Sequence, residues 1–250
     1  MQKCYVLGSS SFIGRSVIDK LSKAYQVIPL YKELFDITNE QCYNNFDFSN
    51  SIIIDCIVAV DKNSEIITCN VKGFEKYILF LKEHAENFQY VYFSTTSTQI
   101  VSQRQNNTYV KSKYLAENIL KAYIENYKIL RLTFPFGTAE NANRLFSRLI
   151  GQIYRNEHIQ IKNITMNLTP VEYLCSSLIN LLKNNNKEIN FTFKGKVFRL
   201  IDIAKYITSE LNYSNISYLH EEEVHLEVVD KCVGEVEDIK QYIDVYLETS

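Results

Sequence analysis

The sequence predicts an α/β fold: a Rossmann-type doubly wound parallel sheet with a small C-terminal lobe for a substrate. Three observations lead there. Short β-rich runs alternate with amphipathic helical stretches from Lys3 to Phe134, and that alternation is the pattern of a parallel sheet with crossover helices. One of the runs, Ser51–Val60, is almost continuously apolar (IIIDCIVAV), as expected of a strand covered on both faces. The first strand leads directly into a glycine-bearing turn that opens a helix.

The elements follow in order. Lys3–Leu7 reads as a strand, and Phe12–Ala24 repeats Ile13, Val17, Ile18 and Leu21 at helical spacing. Gln26–Tyr31 and Ser51–Val60 are strands, separated from the next strand, Tyr90–Ser94, by a long helix over Ser64–Glu86. A helix over Thr108–Tyr123 and a strand over Lys128–Phe134 complete a domain over residues 1–140. Residues 141–250 then form the lobe, which does not fold independently. It contains a helix over Arg144–Tyr154, the strand-like IQIKNI, and a helix from Pro170, a residue suited to the first turn, to Leu182. A strand at Phe191–Phe193 and a helix over Ala204–Leu211 follow. Right-handed crossovers place helices on both faces of the sheet, and ligands of such sheets bind beyond the carboxyl ends of the strands.

Composition narrows the function classes. The 250 residues carry 27 Lys and Arg against 29 Asp and Glu, for a net charge of −2. No basic stripe stands out, which argues against nucleic acid as a partner. No apolar run approaches the roughly 20 residues of a membrane span, and the opening MQKCYVLGSS lacks the apolar core of a signal peptide. The six cysteines, Cys4, Cys42, Cys56, Cys69, Cys175 and Cys232, include no CxxC pair. They read as the reduced, packed thiols of a cytoplasmic protein, without a metal.

Gly8-Ser9-Ser10-Ser11-Phe12-Ile13-Gly14 joins the first strand to the first helix. A turn of this kind aims backbone N–H groups and a helix N-terminus at a pyrophosphate. Gly8 permits the turn, Gly14 lets the helix approach the strand, Ser11 stands at the middle glycine of GxxGxxG, and the serines offer hydroxyls to phosphate. The alternative is an ordinary turn with a serine N-cap. The second strand ends at Tyr31 and Lys32 rather than at the Asp or Glu that binds the adenosine ribose of NAD. With Arg15 just after Gly14, Lys32 suits a 2′-phosphate, which favours NADP with NAD as the alternative.

Tyr109 and Lys113 lie one helical turn apart and share a face. An ammonium beside a phenol of pKa near 10 stabilises the phenolate, making Tyr109 usable as an acid or base near neutral pH. The pair follows the strand that ends in Ser94-Thr95-Thr96-Ser97-Thr98, where a hydroxyl can hold a substrate oxygen. Aligned on Phe93, that hydroxyl is Thr96, with Thr95 one residue off.

Together these motifs resemble the extended short-chain dehydrogenase/reductase superfamily, the NAD-dependent epimerases, dehydratases and 4-ketoreductases of nucleotide-activated sugars, over most of the chain. GSSSFIG resembles the glycine loop, and FDIT the Asp-hydrophobic pair at the adenine, implicating Asp36 and Ile37. IIDCIVAV, with Cys56 and Ile57, resembles the segment that lines the cofactor. TCNVKG resembles the helical Asn-Val-x-Gly, with Asn70 and Gly73. YFSTTST and YVKSK resemble the Ser/Thr segment and the Tyr-Lys motif, and LRLTFPFG resembles the strand end at which Pro135 and Gly137 line the nicotinamide. TPVEYLCSSLINLL resembles the small-lobe helix that normally begins with an Asp pair.

The chain departs from the family in four places. Only Gln99–Thr108 separates the Ser/Thr segment from Tyr109, Ile57-Val58 replaces a small dipeptide, Phe134 replaces an Asn, and Met166 and Asn167 stand where an Arg grips the diphosphate. Arg144 and Arg148 are candidates to replace that Arg. The resemblance implies a reductase of a nucleotide-linked 4-keto-6-deoxysugar, with catalytic Thr96, Tyr109 and Lys113. Ser97 and Thr98 stand where a dehydratase carries an acidic pair. A 4-epimerase with retained NAD is the first alternative, and a non-catalytic dinucleotide-binding sensor or scaffold the second. Relatives often dimerise through the helices that correspond to Ser64–Glu86 and Thr108–Tyr123, so the resemblance allows a homodimer.

Overall fold

The computed structural model describes residues 1–137, 144–193, 196–219, 224–226 and 240–249. Cys232 and the division expected after residue 140 lie outside them. The chain runs through β1 (Lys3–Leu7), α1 (Phe12–Leu21), β2 (Gln26–Leu30), β3 (Ile52–Asp55), α2 (Asn63–Ile67), α3 (Phe74–His84), β4 (Gln89–Thr95), α4 (Val101–Asn106), α5 (Thr108–Tyr123) and β5 (Tyr127–Leu132). It continues through β6 (Phe134–Phe136), α6 (Leu145–Tyr154), β7 (Ile159–Ile161), β8 (Ile164–Pro170), α7 (Val171–Leu182) and β9 (Glu188–Thr192). Last come β10 (Val197–Arg199), α8 (Leu200–Glu210), β11 (Ile216–Tyr218), β12 (Val224–Leu226) and α9 (Lys240–Thr249).

Two compact units result: Met1–Leu132 with Cys175–Phe193, and Thr133–Leu174 with Lys194–Ser250. The first contains a six-stranded, wholly parallel sheet in the order β2-β1-β3-β4-β5-β9. The order reverses between β1 and β3, so their carboxyl ends form the topological switch point at which such sheets take ligands. The return of residues 175–193 corrects one expectation. The strand foreseen at Phe191–Phe193 is Glu188–Thr192, and it is the sixth strand of this sheet rather than part of the lobe.

Alternation across the strands covers both faces. Tyr5, Leu7, Ile53, Tyr90, Tyr92, Tyr127 and Ile129 form one core cluster with Phe74, Tyr77, Ile78 and Leu81 of α3 and Ala116 and Leu120 of α5. Cys4, Val6, Ile52, Ile54, Val91 and Leu130, on the opposite face, are equally buried. The chain between β2 and β3 adds no strand and packs as aromatic filling. Phe35, Tyr43 and Phe48 place their rings 5.0 to 5.5 Å from Tyr77. That distance is within the range in which aromatic pairs attract beyond their buried area.

The strand expected over Ser51–Val60 stops at Asp55. Its partner β1 ends at Leu7, opposite Asp55, and there the Asp55 carboxylate accepts the Ile57 N–H at 2.8 Å, turning the chain out of the ladder. The helix expected over Ser64–Glu86 is α2 and α3 joined by a π-helical segment, Thr68–Gly73, the kind of insertion that often marks functional sites. Pro170 ends β8, and α7 begins at Val171.

In the second unit β8 is the organising strand. It pairs in parallel with β6 and β12 and antiparallel with β10. Phe146, Leu149, Ile150 and Ile153 of α6 pack with Met166 and Leu168 of β8 and Ile203, Ala204 and Ile207 of α8. No helix among the described residues is long and apolar enough to cross a membrane.

The buried thiols and phenols set an alkaline limit on stability. Burial pushes Cys4 up to about 12 and Cys69 up to about 11, and raises Cys56, Tyr77, Tyr90 and Tyr92 well above their ordinary values. The unfolded chain ionises these groups from 9.0 for Cys and 10.0 for Tyr, whereas the folded chain keeps their protons. Stability is therefore complete below about pH 9 and lost as pH rises toward the folded values. Thermal melts at pH 8, 9, 10 and 11 should show Tm falling progressively above pH 9. A flat Tm across that range would contradict this account.

Candidate active site

The turn after β1 is built by its own side chains. Gly8 has φ +67°, and a Cβ there would lie 2.9 Å from the backbone of Cys56 and Ile57. A side chain at Gly8 would therefore be strained and would close the gap between the ends of β1 and β3. A Cβ on Gly14 would sit 2.6 Å from the Gly8 carbonyl oxygen, so this glycine lets α1 lie against the turn. Ser11 is the N-cap of α1, its Oγ accepting the Gly14 N–H at 3.1 Å. The Ser9 hydroxyl donates to Val6 O at 2.6 Å and is buried, which corrects its expected role toward phosphate. Ser10 is exposed, Ile13 half-buried and Phe12 buried. The serine N-cap foreseen as the alternative is present, and such a cap is compatible with an anion site at the helix terminus.

At the end of β4 the hydroxyl cluster separates into used and unused groups. Thr95 Oγ1 caps the following 3₁₀ turn by accepting the Ser97 N–H at 3.3 Å. Ser94 and Thr98 donate to Glu117 Oε1 at 2.7 and 3.0 Å. Thr96 Oγ1 and Ser97 Oγ are buried and have no hydrogen-bond partner. A buried hydroxyl is nearly always paired, so these two mark where an external polar group belongs.

Helix α5 carries Tyr109 and Lys113. Asn107 caps it by accepting the Val110 N–H, and Tyr109 occupies its first turn, half-buried. Lys113, one turn on, is buried. Its Nζ donates to Phe93 O at 2.8 Å and lies 4.4 Å from the centre of the Tyr92 ring. Burial pushes Lys113 down to about 8, opposed first by the charge of Asp55. Glu117 accepts the Arg131 guanidinium through both of its oxygens, fixing the next turn of α5 to β5.

Residues 4–171 match the model of the family described as "NAD dependent epimerase/dehydratase family". The chain belongs to that family. It is a family of NAD(P)-dependent enzymes, and the glycine turn, Tyr109, Lys113 and strands β2 to β5 fall within the matched span. Solved structures share the fold at low identity. A dTDP-4-dehydrorhamnose reductase from Clostridium acetobutylicum is 20% identical with a TM-score of 0.78, covering 98% of this chain and 100% of its own. The Bacillus anthracis reductase of the same name, solved with NADP, is 18% identical with a TM-score of 0.77 and 98% coverage of each chain. A UDP-glucuronic acid 4-epimerase from Bacillus cereus, solved with NAD, is 15% identical with a TM-score of 0.75 and 99% coverage of each chain. Comparison with curated protein sequences finds no match.

The other residues expected at the cofactor are found as follows. Tyr31, Lys32 and Arg15 are exposed beyond β2 and on α1. Asp36 accepts both the amide and the hydroxyl of Thr38, at 2.9 and 2.7 Å. Burial raises its pKa, but Thr38 and Lys32 outweigh that and hold it below the usual carboxylate value. Ile37 and Cys56 are buried and Ile57 is half-buried, while Val58 is 42% exposed, so of the bulky dipeptide only Ile57 packs inward. Asn70, expected to touch the cofactor, brackets Ala59, accepting its N–H and donating to its carbonyl, both at 2.8 Å, and reaches Ser112. It shapes the loop after β3.

In the second unit, Arg144 donates to Pro135 O and lies over the Phe134 ring. Arg144, Arg148 and Lys162 rim a cavity of about 520 Å³ with an apolar floor that includes Ile161, Met166 and Leu200. Asn167 is buried inside β8.

Two residues were not singled out from sequence. Glu117 lies four residues past Lys113, a spacing that puts it on the same face. Asp55 is the one acid in an apolar strand, and an acid in such a run announces a buried charge.

The split within the hydroxyl cluster has a measurable signature. In ligand-free protein, Thr96→Val removes an unsatisfied buried hydroxyl and should leave stability unchanged or raise it by up to about 1–3 kcal/mol. Thr95→Val removes a cap and should lower stability by about 0.5–2 kcal/mol. Denaturant melts that rank the two variants in the opposite order would refute this assignment of the two hydroxyls.

Proposed function

We propose that the protein reduces a nucleotide-linked 4-keto-6-deoxysugar with NADPH, the first unit holding the dinucleotide and the second the sugar nucleotide. The observation that carries the reading is the buried, unpartnered Thr96 hydroxyl at the end of β4, beside a helix that bears Tyr109 and Lys113. Gly8 lets the turn lie against the backbone of Cys56 and Ile57, and the two orphaned hydroxyls fit a bound carbonyl.

When bound, the nicotinamide supplies hydride to the ketone carbon. Thr96 donates a hydrogen bond to the carbonyl oxygen and orients it. Tyr109 delivers its phenolic proton to that oxygen as negative charge develops, and the Lys113 ammonium favours the resulting phenolate. No carboxylate is available in the hydroxyl turn for eliminating water, since Ser97 and Thr98 stand there and Thr98 is bound to Glu117. This favours reduction over dehydration. At the adenosine end, the exposed Lys32 and Arg15 suit a 2′-phosphate, and the Asp36 carboxylate is engaged by Thr38, which together support NADP. Arg144, Arg148 and Lys162 suit the diphosphate of the sugar nucleotide.

Separate titrations with NADPH and NADH, followed by nicotinamide fluorescence, should give micromolar binding with NADPH preferred. On a panel of 4-keto nucleotide sugars, Tyr109→Phe should lower kcat by about 10²–10⁴ with NADPH affinity unchanged. NAD retained through purification with no net turnover would point to a 4-epimerase. Binding of neither nucleotide by cofactor-free protein would overturn the enzyme reading in favour of a scaffold.

A further inference from the structure

Lys113 is buried, and its contacts are the Phe93 carbonyl oxygen and the Tyr92 ring, both uncharged. An ammonium in such a site tends to lose its proton. What opposes this is legible in the groups that face it. Cys56 follows β3, Cys69 lies in the π-helical segment, Tyr92 is on β4, Tyr109 and Glu117 are on α5, and Asp55 ends β3. The thiols of Cys56 and Cys69 and the phenol of Tyr92 are pushed upward by burial and stay neutral near pH 7. Glu117 has its charge matched by Arg131 and Lys121. Asp55 remains.

Its geometry is that of a fixed charge. Asp55 is 1% exposed. One carboxylate oxygen accepts the Ile57 N–H and the other the Tyr90 hydroxyl, each at 2.8 Å. It is the register neighbour of Tyr92, over whose ring Lys113 lies, and by strand alternation it points to the same face as Ile53, the face that α3 and α5 cover.

We propose that Asp55 is a positioning residue for Lys113: a carboxylate clamped by Tyr90 and the Ile57 amide that keeps the buried Lys113 ammonium protonated, and so keeps the Tyr109–Lys113 pair competent near neutral pH. The inference rests on reading Tyr109 and Lys113 as the acid–base pair, but the charge relation is measurable without any substrate. Burial raises the Asp55 carboxyl, and Lys113, the Ile57 N–H and the Tyr90 hydroxyl oppose that rise. Each charged form thus favours the other.

The test is a pH titration of the intact protein by NMR, with lysine Cε and aspartate Cγ carrying ¹³C. The Lys113 signal is assigned by its loss in Lys113→Met, and the Asp55 signal by its loss in Asp55→Asn. Lys113 should titrate near pH 8 in the unaltered protein, and Asp55→Asn should move that inflection down by about one pH unit or more. Reciprocally, Lys113→Met should move the Asp55 inflection upward, which keeps the test intact if Asp55→Asn does not fold. A Lys113 inflection unmoved by Asp55→Asn, or an Asp55 inflection unmoved by Lys113→Met, overturns the proposal. Reciprocal shifts in a protein that turns over no 4-keto nucleotide sugar would leave the Asp55–Lys113 relation standing and defeat only the substrate reading.

Discussion

Helix α5 is held to the sheet by a carboxylate with no water to turn to. Glu117 is 2% exposed, and its oxygens accept from Ser94, Thr98 and both arms of the Arg131 guanidinium. Burying a carboxylate is unfavourable unless its lone pairs are filled, so the sheet, the hydroxyl turn and the helix must arrive together. Lys113 lies one turn before Glu117 and Tyr109 one turn before that. The placement of Tyr109 and Lys113 follows from the placement of Glu117.

The same hydrogen-bond accounting explains why one threonine among several is left without a partner. Four neighbours of Thr96 carry hydroxyls. Ser94 and Thr98 are taken by Glu117, and Thr95 by the cap of its own turn. Thr96 and Ser97 keep their bonding capacity inside a dry environment.

In the second unit the departures from the family pattern become a local arrangement. Where relatives carry an arginine on the strand, this chain has buried Met166 and Asn167 within β8. Arg144, Arg148 and Lys162 line a cavity of about 520 Å³ with Ile161, Met166 and Leu200. Arg144 and Arg148 are four residues apart at the start of α6 and share a face, a spacing visible in the sequence, though the cavity they border is not.

Local signals were enough for the fold and for the acid–base motif. A strand, a turn with φ-tolerant Gly8 and a helix N-cap are short-range events, and Tyr109 and Lys113 share a face because i and i+4 lie one helical turn apart. Helix α5 ends where the sequence places it, at Thr108 and Tyr123. The tertiary structure decided whatever depends on distant partners. The apolar run at residues 51–60 stops being a strand at Asp55 because β1 has ended beside it. Residues 188–192 join the main sheet because β5 offers an open edge. Asn70 closes on Ala59 because the π-helical segment presents it to that loop. Which threonine is free, which carboxylate is matched and which faces the lysine are settled by contacts across tens of residues, and one-dimensional spacing carries no record of them.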